Sequence, residues 1–102
     1  MEIRLATKLF KQKLLLHNIN DWKIRYTYNK IILANVDEDK KVINISSSFV
    51  KMNNKKICTN LILHEIAHIL VGAKEMHNEV WKQKCREIGA EPNEFIEKGN
   101  FP

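Results

Sequence analysis

The sequence is short of residues that break or cross-link a chain. It holds 3 glycines, 2 prolines and 2 cysteines in 102 residues. Gly72, Gly89, Gly99, Pro92 and Pro102 all fall in its last third. No Pro/Gly-rich linker divides it, so it reads as a single domain, 1–102, with a core over about 3–92 and a short tail at 93–102. Cys58 and Cys85 are too few for the disulfide scaffold that a small secreted domain needs. Both lie in apolar, helix-like contexts and read as reduced core thiols. No apolar run approaches the roughly 18–20 residues that span a bilayer. The first residues alternate charge with apolar side chains and lack a signal peptide's unbroken apolar stretch. The expectation is a cytoplasmic protein, bacterial or phage-encoded, neither secreted nor membrane-bound.

What is present is ordinary for a globular domain. The apolar fraction is 44% and the charged fraction 28%. These values exclude collagen-like, coiled-coil and disordered classes. The net charge of +5 is uneven. Residues 1–60 carry 12 Lys/Arg against 5 Asp/Glu, whereas 61–102 carry 5 against 7. A basic first half suits an acidic partner such as nucleic acid, and equally a solubilised surface.

Periodicity sets the element order. Over 3–18, Leu5, Ala6, Leu9, Phe10, Leu14 and Leu16 recur at helical spacing. His17 at the end of that helix reads as a surface residue. Over 22–28 the period becomes two: Trp22, Ile24, Tyr26 and Tyr28 share one face, and Lys23, Arg25 and Thr27 the other. Apolar runs at 31–36 and 42–45 flank the turn-prone Asp37–Lys40. Three short strands with tight connections predict an antiparallel meander. A helix over about 54–71 is apolar nearly all round, which places it at the centre of the domain, and Gly72 can end it. A last helix over about 78–88 has Trp81, Cys85 and Ile88 as its buried stripe. Gly89 and Pro92 stop it. The fold class expected is α+β: an N-terminal helix, a small three-stranded antiparallel sheet, a central helix and a C-terminal helix.

The sharpest signal is His64-Glu65-Ile66-Ala67-His68. Positions i and i+4 share a helix face, so both imidazoles can reach one ion. Zinc suits imidazole, and a catalytic zinc keeps one position for water. Glu65, about 100° around the helix, can take a proton from that water as it attacks a carbonyl. A chance match at this chain's own residue frequencies has a probability of roughly 1%. The alternative, histidines that are merely core polar groups, must place three such groups inside the most apolar helix. There an unpaired polar group costs roughly 1–3 kcal/mol. A third protein ligand is needed. His77, nine residues beyond His68 and past Gly72, can fold back on the site; Glu75, Glu79 and Glu87 are acidic competitors.

Taken together, these features make the chain resemble the SprT-like (Spartan-type) zinc metallopeptidases, in a minimal zincin-like form. The resemblance runs from the first helix to Pro92. It is carried by Trp22-Lys23-Ile24-Arg25-Tyr26, by Lys41-Val42-Ile43-Asn44-Ile45-Ser46 and by Leu63-His64-Glu65-Ile66-Ala67-His68. His77-Asn78-Glu79-Val80-Trp81 and Cys85-Arg86-Glu87-Ile88-Gly89-Ala90-Glu91-Pro92 continue it. The family usually has Gly after the third histidine, where this chain has Asn78. Asn35 also replaces a frequent Gly. Neither change removes a ligand.

By resemblance, His64, His68 and His77 would hold one Zn2+ and Glu65 would be the general base of an intracellular protease. The family's eukaryotic members cleave proteins crosslinked to DNA and are activated by DNA, which implies a crosslink-repair role. Candidate DNA contacts are Lys8, Lys11, Lys13, Lys23, Arg25, Lys55 and Lys56, with Trp22 or Tyr26 as a stacking surface for single strands. The expected partners are a protein or peptide substrate and DNA, for a monomer. The competing reading is a module that holds zinc and binds DNA or a protein without hydrolysis.

Overall fold

The computed structural model describes residues 1–92; the proposed tail at 93–102 lies outside the described residues. Helix α1, Ile3–Leu16, buries Ala6, Leu9, Phe10 and Leu14. That is a single stripe at three- and four-residue steps. Leu5 and Leu16 lie off it and are exposed, contrary to the sequence expectation. Three strands follow: β1 (Lys23–Thr27), β2 (Ala34–Asp37) and β3 (Val42–Ser46). Helix α2 is Ser47–Met52, α3 is Lys55–Val71 and α4 is Glu79–Ile88. A short 3-10 turn, Ala73–Glu75, lies between the last two.

The sheet corrects the expected antiparallel meander. Its order is β1-β3-β2. Strand β3 is antiparallel to β2, with Ala34 opposite Ile45, and parallel to β1, with Lys23 opposite Val42. The link at 28–33 causes the difference. Instead of turning back beside β1, it steps across the width of one strand, roughly 10 Å between β1 and β2. The tight turn at 38–41 then sends β3 into the gap. Tyr28, Ile31 and Ile32 belong to this link, not to strands, and are exposed.

The register sorts the faces. Ile43 and Ile45 are fully buried, and Ile24, Tyr26, Ala34 and Val36 stand beside them on the helix side. Lys23, Arg25, Asn35 and Asn44 occupy the opposite face, where Asn44 donates to the Asn35 side chain at 3.0 Å. Tyr26 reaches α1, its hydroxyl 2.6 Å from the Thr7 hydroxyl.

Helix α3 is the centre of the molecule. Every residue from Leu61 to His68 is buried. Asn54 caps its start, accepting from the Ile57 amide at 3.0 Å. Helix α3 packs with α1, and β2 is the strand that lies most directly on the helix. Helix α4 packs along α3 and buries Trp81 and Cys85. It ends in a Schellman turn. Gly89 is left-handed, at φ 87°, and the Ala90 amide returns to the Cys85 carbonyl at 2.8 Å. Both cysteines are buried.

Candidate metal centre

The central helix presents His64, Glu65 and His68 on its buried middle turns, with His64 and Glu65 wholly enclosed. The 3-10 turn after Gly72 brings the chain back, and Asn78 starts α4 by accepting from the Trp81 amide at 3.1 Å. That cap sets His77 just outside the helix and Trp81 on its first turn. The indole of Trp81 is fully buried. It stacks on His68 with centroids 5.1 Å apart and planes 19° from parallel. His64 and His77 meet it edge-on, at 5.1 and 4.7 Å. The rings of His68 and His77 are 5.0 Å apart.

The structure therefore brings His64, His68 and His77 around one indole. The acidic competitors are engaged elsewhere. Glu75 accepts from the Asn78 side chain at 2.6 Å, Glu79 lies 3.7 Å from Arg86, and Glu87 pairs with Lys84 at 2.7 Å. The Lys84 ammonium holds the Glu87 carboxyl below its ordinary range.

Two residues that sequence reasoning did not assign close over the site. The Glu91 amide donates to the Asn60 side chain at 2.9 Å, and the Glu91 carbonyl accepts from Nε2 of His64. Asn60 lies one helical turn before His64, a spacing visible in the sequence. Glu91 carries no side-chain signal, because its backbone makes the contact.

By kind, the donors fit zinc, since neutral imidazole is a common ligand for that ion. By position two of them lie on α3 and the third just before α4, which packs along it. Among the described residues, however, no three His, Cys, Asp or Glu side chains already form a cation site. A ring nitrogen that donates to a carbonyl has its lone pair committed to its own proton. His64 must therefore release Glu91 before Nε2 can serve a metal.

The candidate nucleic-acid contacts do not form one surface. Lys13 and Lys55 line a groove of about 470 Å³ between α1 and α3, floored by Leu9, Leu15 and Leu16. Lys8, Lys11 and Lys56 lie on the same two helices, and all three are exposed. Lys23 and Arg25 lie on the open sheet face. Trp22 is half-buried and packs on the core.

The sequence profile of the SprT-like family matches residues 2–99. No curated protein matches the sequence. Two solved structures share the fold. The metallopeptidase zymogen jannalysin of Methanocaldococcus jannaschii is 20% identical with a TM-score of 0.69, over 80% of this chain and 79% of its own. The metallopeptidase zymogen abylysin of Pyrococcus abyssi is 16% identical with a TM-score of 0.69, over 87% and 82%. No helix among the described residues is long and apolar enough to cross a membrane.

Proposed function

The chain belongs to the SprT-like family, and from that premise we propose that it is a zinc-dependent metalloendopeptidase. In this reading His64, His68 and His77 hold one ion and Glu65 is the general base. The observation that carries it is the gathering around Trp81 of two imidazoles from α3 and a third from just before α4, with a fully buried carboxylate one residue from the first of them.

Zinc, when bound, supplies Lewis acidity to water and to a peptide carbonyl. The rest of the work falls to the chain. Glu65 takes the proton from the attacking water and returns it to the leaving amine. Its burial in α3 fixes its direction. Strand β2 is an edge strand, hydrogen-bonded to β3 on one side only among the described residues, and it lies on α3. An extended peptide can add to its free edge through backbone hydrogen bonds, which holds a scissile bond beside the motif helix whatever its side chains. A protein or peptide substrate follows.

For DNA, we propose the groove side of α1 and α3 as the contacting surface, in preference to the sheet face. No acidic residue occurs between Glu2 and Asp21 or between Asp39 and Glu65. Those segments include all of α1, all of α2 and the first half of α3. Trp22 packs on the core, so phosphate contacts, rather than base stacking, are what this surface offers. Such binding weakens steeply with salt; no binding at about 50 mM salt removes this part of the reading.

A second reading concerns the state of the site. The contact between the Glu91 carbonyl and His64 favours a latent form, in which the 90–92 segment covers a ligand nitrogen. Two solved relatives in fold, jannalysin and abylysin, are zymogens.

The test of the main reading is Glu65→Gln. The variant should retain one zinc per chain and lose cleavage of an unfolded protein substrate by roughly 10²–10⁴-fold. Cleavage at the parental rate removes Glu65 as the base.

A further inference from the structure

Trp81 is the largest fully buried side chain among the described residues, and three of its ring contacts are with histidines. A Trp whose only task is to fill a core finds aliphatic neighbours sufficient. This one meets His68 face to face and His64 and His77 at its edges. Its indole N–H also has a defined target, the backbone carbonyl of His64 at 3.2 Å. In the regular hydrogen-bond ladder of α3 that carbonyl is the acceptor for the His68 amide, and a carbonyl has two lone pairs. One buried donor on α4 is thus anchored to the turn of α3 that separates the two motif histidines.

We infer that Trp81 is a positioning residue for the metal centre: it holds the three imidazoles in one neighbourhood before any ion arrives and ties α4, whose cap His77 precedes, to the helix that carries His64 and His68. The inference rests on the zinc-binding reading above. Its physical content is preorganisation. Imidazoles that rotate freely must lose that freedom when an ion binds, and this loss weakens binding. Rings packed against a rigid indole have lost it already, on folding. The stacked face restricts His68, and the two edges limit how far His64 and His77 can swing. The hydrogen bond fixes the indole itself. Its anchor is main-chain, so the anchor persists when the histidine rings change partners. His64 can then exchange the Glu91 carbonyl for a metal without disturbing the scaffold.

The stack and the hydrogen bond separate in two variants. Trp81→Phe keeps an aromatic face and loses the N–H donor. Trp81→Leu loses both. Phe10→Leu, a fully buried core change on α1, an element that carries none of the three histidines, is the control for packing loss alone. Zinc affinity is measured by competition with a chromophoric chelator, on protein shown by circular dichroism to be folded. Groups that orient metal ligands typically contribute about 10–100-fold in affinity. We expect Trp81→Leu to lose that much and Trp81→Phe to lose less, with Phe10→Leu unchanged. Two spectroscopic readouts accompany it. The visible absorption of the cobalt-substituted protein should shift in both Trp81 variants and not in the control. Cobalt should also quench indole emission in the parent, and that quenching should vanish in Trp81→Phe. Should Trp81→Leu fail to fold, Trp81→Phe decides alone, by its affinity, its cobalt spectrum and its lost quenching.

Parental zinc affinity and an unchanged cobalt spectrum in folded Trp81→Phe and Trp81→Leu overturn the positioning role while leaving the zinc-binding reading intact. Equal losses in Phe10→Leu overturn it too, since any core change then has the same effect. A parent protein that takes up neither zinc nor cobalt sinks the zinc-binding reading itself.

Discussion

The backbone carbonyl of Glu91 accepts a hydrogen bond from Nε2 of His64, across 27 residues of sequence. The contact is held in place from the other side, because the Glu91 amide donates to Asn60. The 90–92 segment is therefore clamped at one residue by two groups of α3. One of them, the imidazole, is a proposed metal ligand.

That clamp makes metal uptake and segment release compete. Asn60→Ala removes the amide's partner and leaves His64 untouched. A single hydrogen bond contributes a net of about 0.5–1.5 kcal/mol. Apparent zinc affinity in Asn60→Ala should thus rise by a few-fold to about tenfold. Competition titration with a chelating dye checks it. Affinity equal to or below the parent's means that the clamp does not oppose metal binding.

The identity of the third ligand is open to a three-way comparison. Glu75 and Glu79 are engaged with Asn78 and Arg86, whereas His77 packs on Trp81 and His68. His77→Ala should release zinc from the purified protein under mild chelation. Glu75→Gln and Glu79→Gln should retain it. Metal content after dialysis distinguishes them; retention in His77→Ala with loss in a glutamate variant reverses the assignment.

Asn78 stands where relatives of this type usually have Gly, and the structure gives the reason it is tolerated. Its side chain caps α4 through the Trp81 amide and also meets Glu75. Asn78→Ala should destabilise the fold by about 1 kcal/mol, and Asn78→Gly by only a few tenths. Chemical denaturation of the chelated proteins measures both. Equal losses would mean that the cap is not what Asn78 contributes.

Alkaline pH should unfold the protein earlier than its charge alone implies. Burial raises the Cys58 thiol above its ordinary 9.0 and the Tyr26 phenol above its ordinary 10.0. In both cases the folded state holds the proton more tightly than the unfolded state. The stabilisation is complete below the unfolded values. It declines as pH rises past 9.0 for Cys58 and past 10.0 for Tyr26, and is lost as pH passes the raised folded values. Thermal melts between about pH 8 and about pH 11 should show a falling Tm. Cys58→Ala should flatten the first part of that fall and Tyr26→Phe the second. Parallel slopes in all three proteins would assign the decline to other groups.

The helices were legible from sequence because each has one dominant cause. The stripe Ala6, Leu9, Phe10 and Leu14 is a helical face by spacing alone, and Gly72 and Gly89 mark ends that only a positive φ explains. The motif pentapeptide located α3 and its centre. The short helix α2 escaped, because Ser46-Ser47-Ser48 reads as a loop until Ser46 is seen to accept from the Phe49 amide. The sheet order escaped for a different reason. Alternation in β1 reports which face is buried and carries nothing about the neighbour that supplies its hydrogen bonds. Tyr28 continues the alternation and yet is exposed, because the strand stops at Thr27 and the pattern does not. At the proposed site the rings carry a sequence signal and the backbone contact carries none: His77 stands nine residues beyond His68 and Trp81 reads as part of a buried stripe, whereas nothing in the sequence marks the Glu91 carbonyl.

The position of β3 between its two elders governs the order of events on folding. Strands β1 and β2 share no hydrogen-bonded edge, so neither can template the other. The β2–β3 hairpin is local and can close early. Strand β1 must wait for a partner whose matching residues lie 19 positions later, as Lys23 does for Val42. Until residue 46 has joined, a nascent chain has no complete sheet, and α3 has no finished layer of strands to pack on.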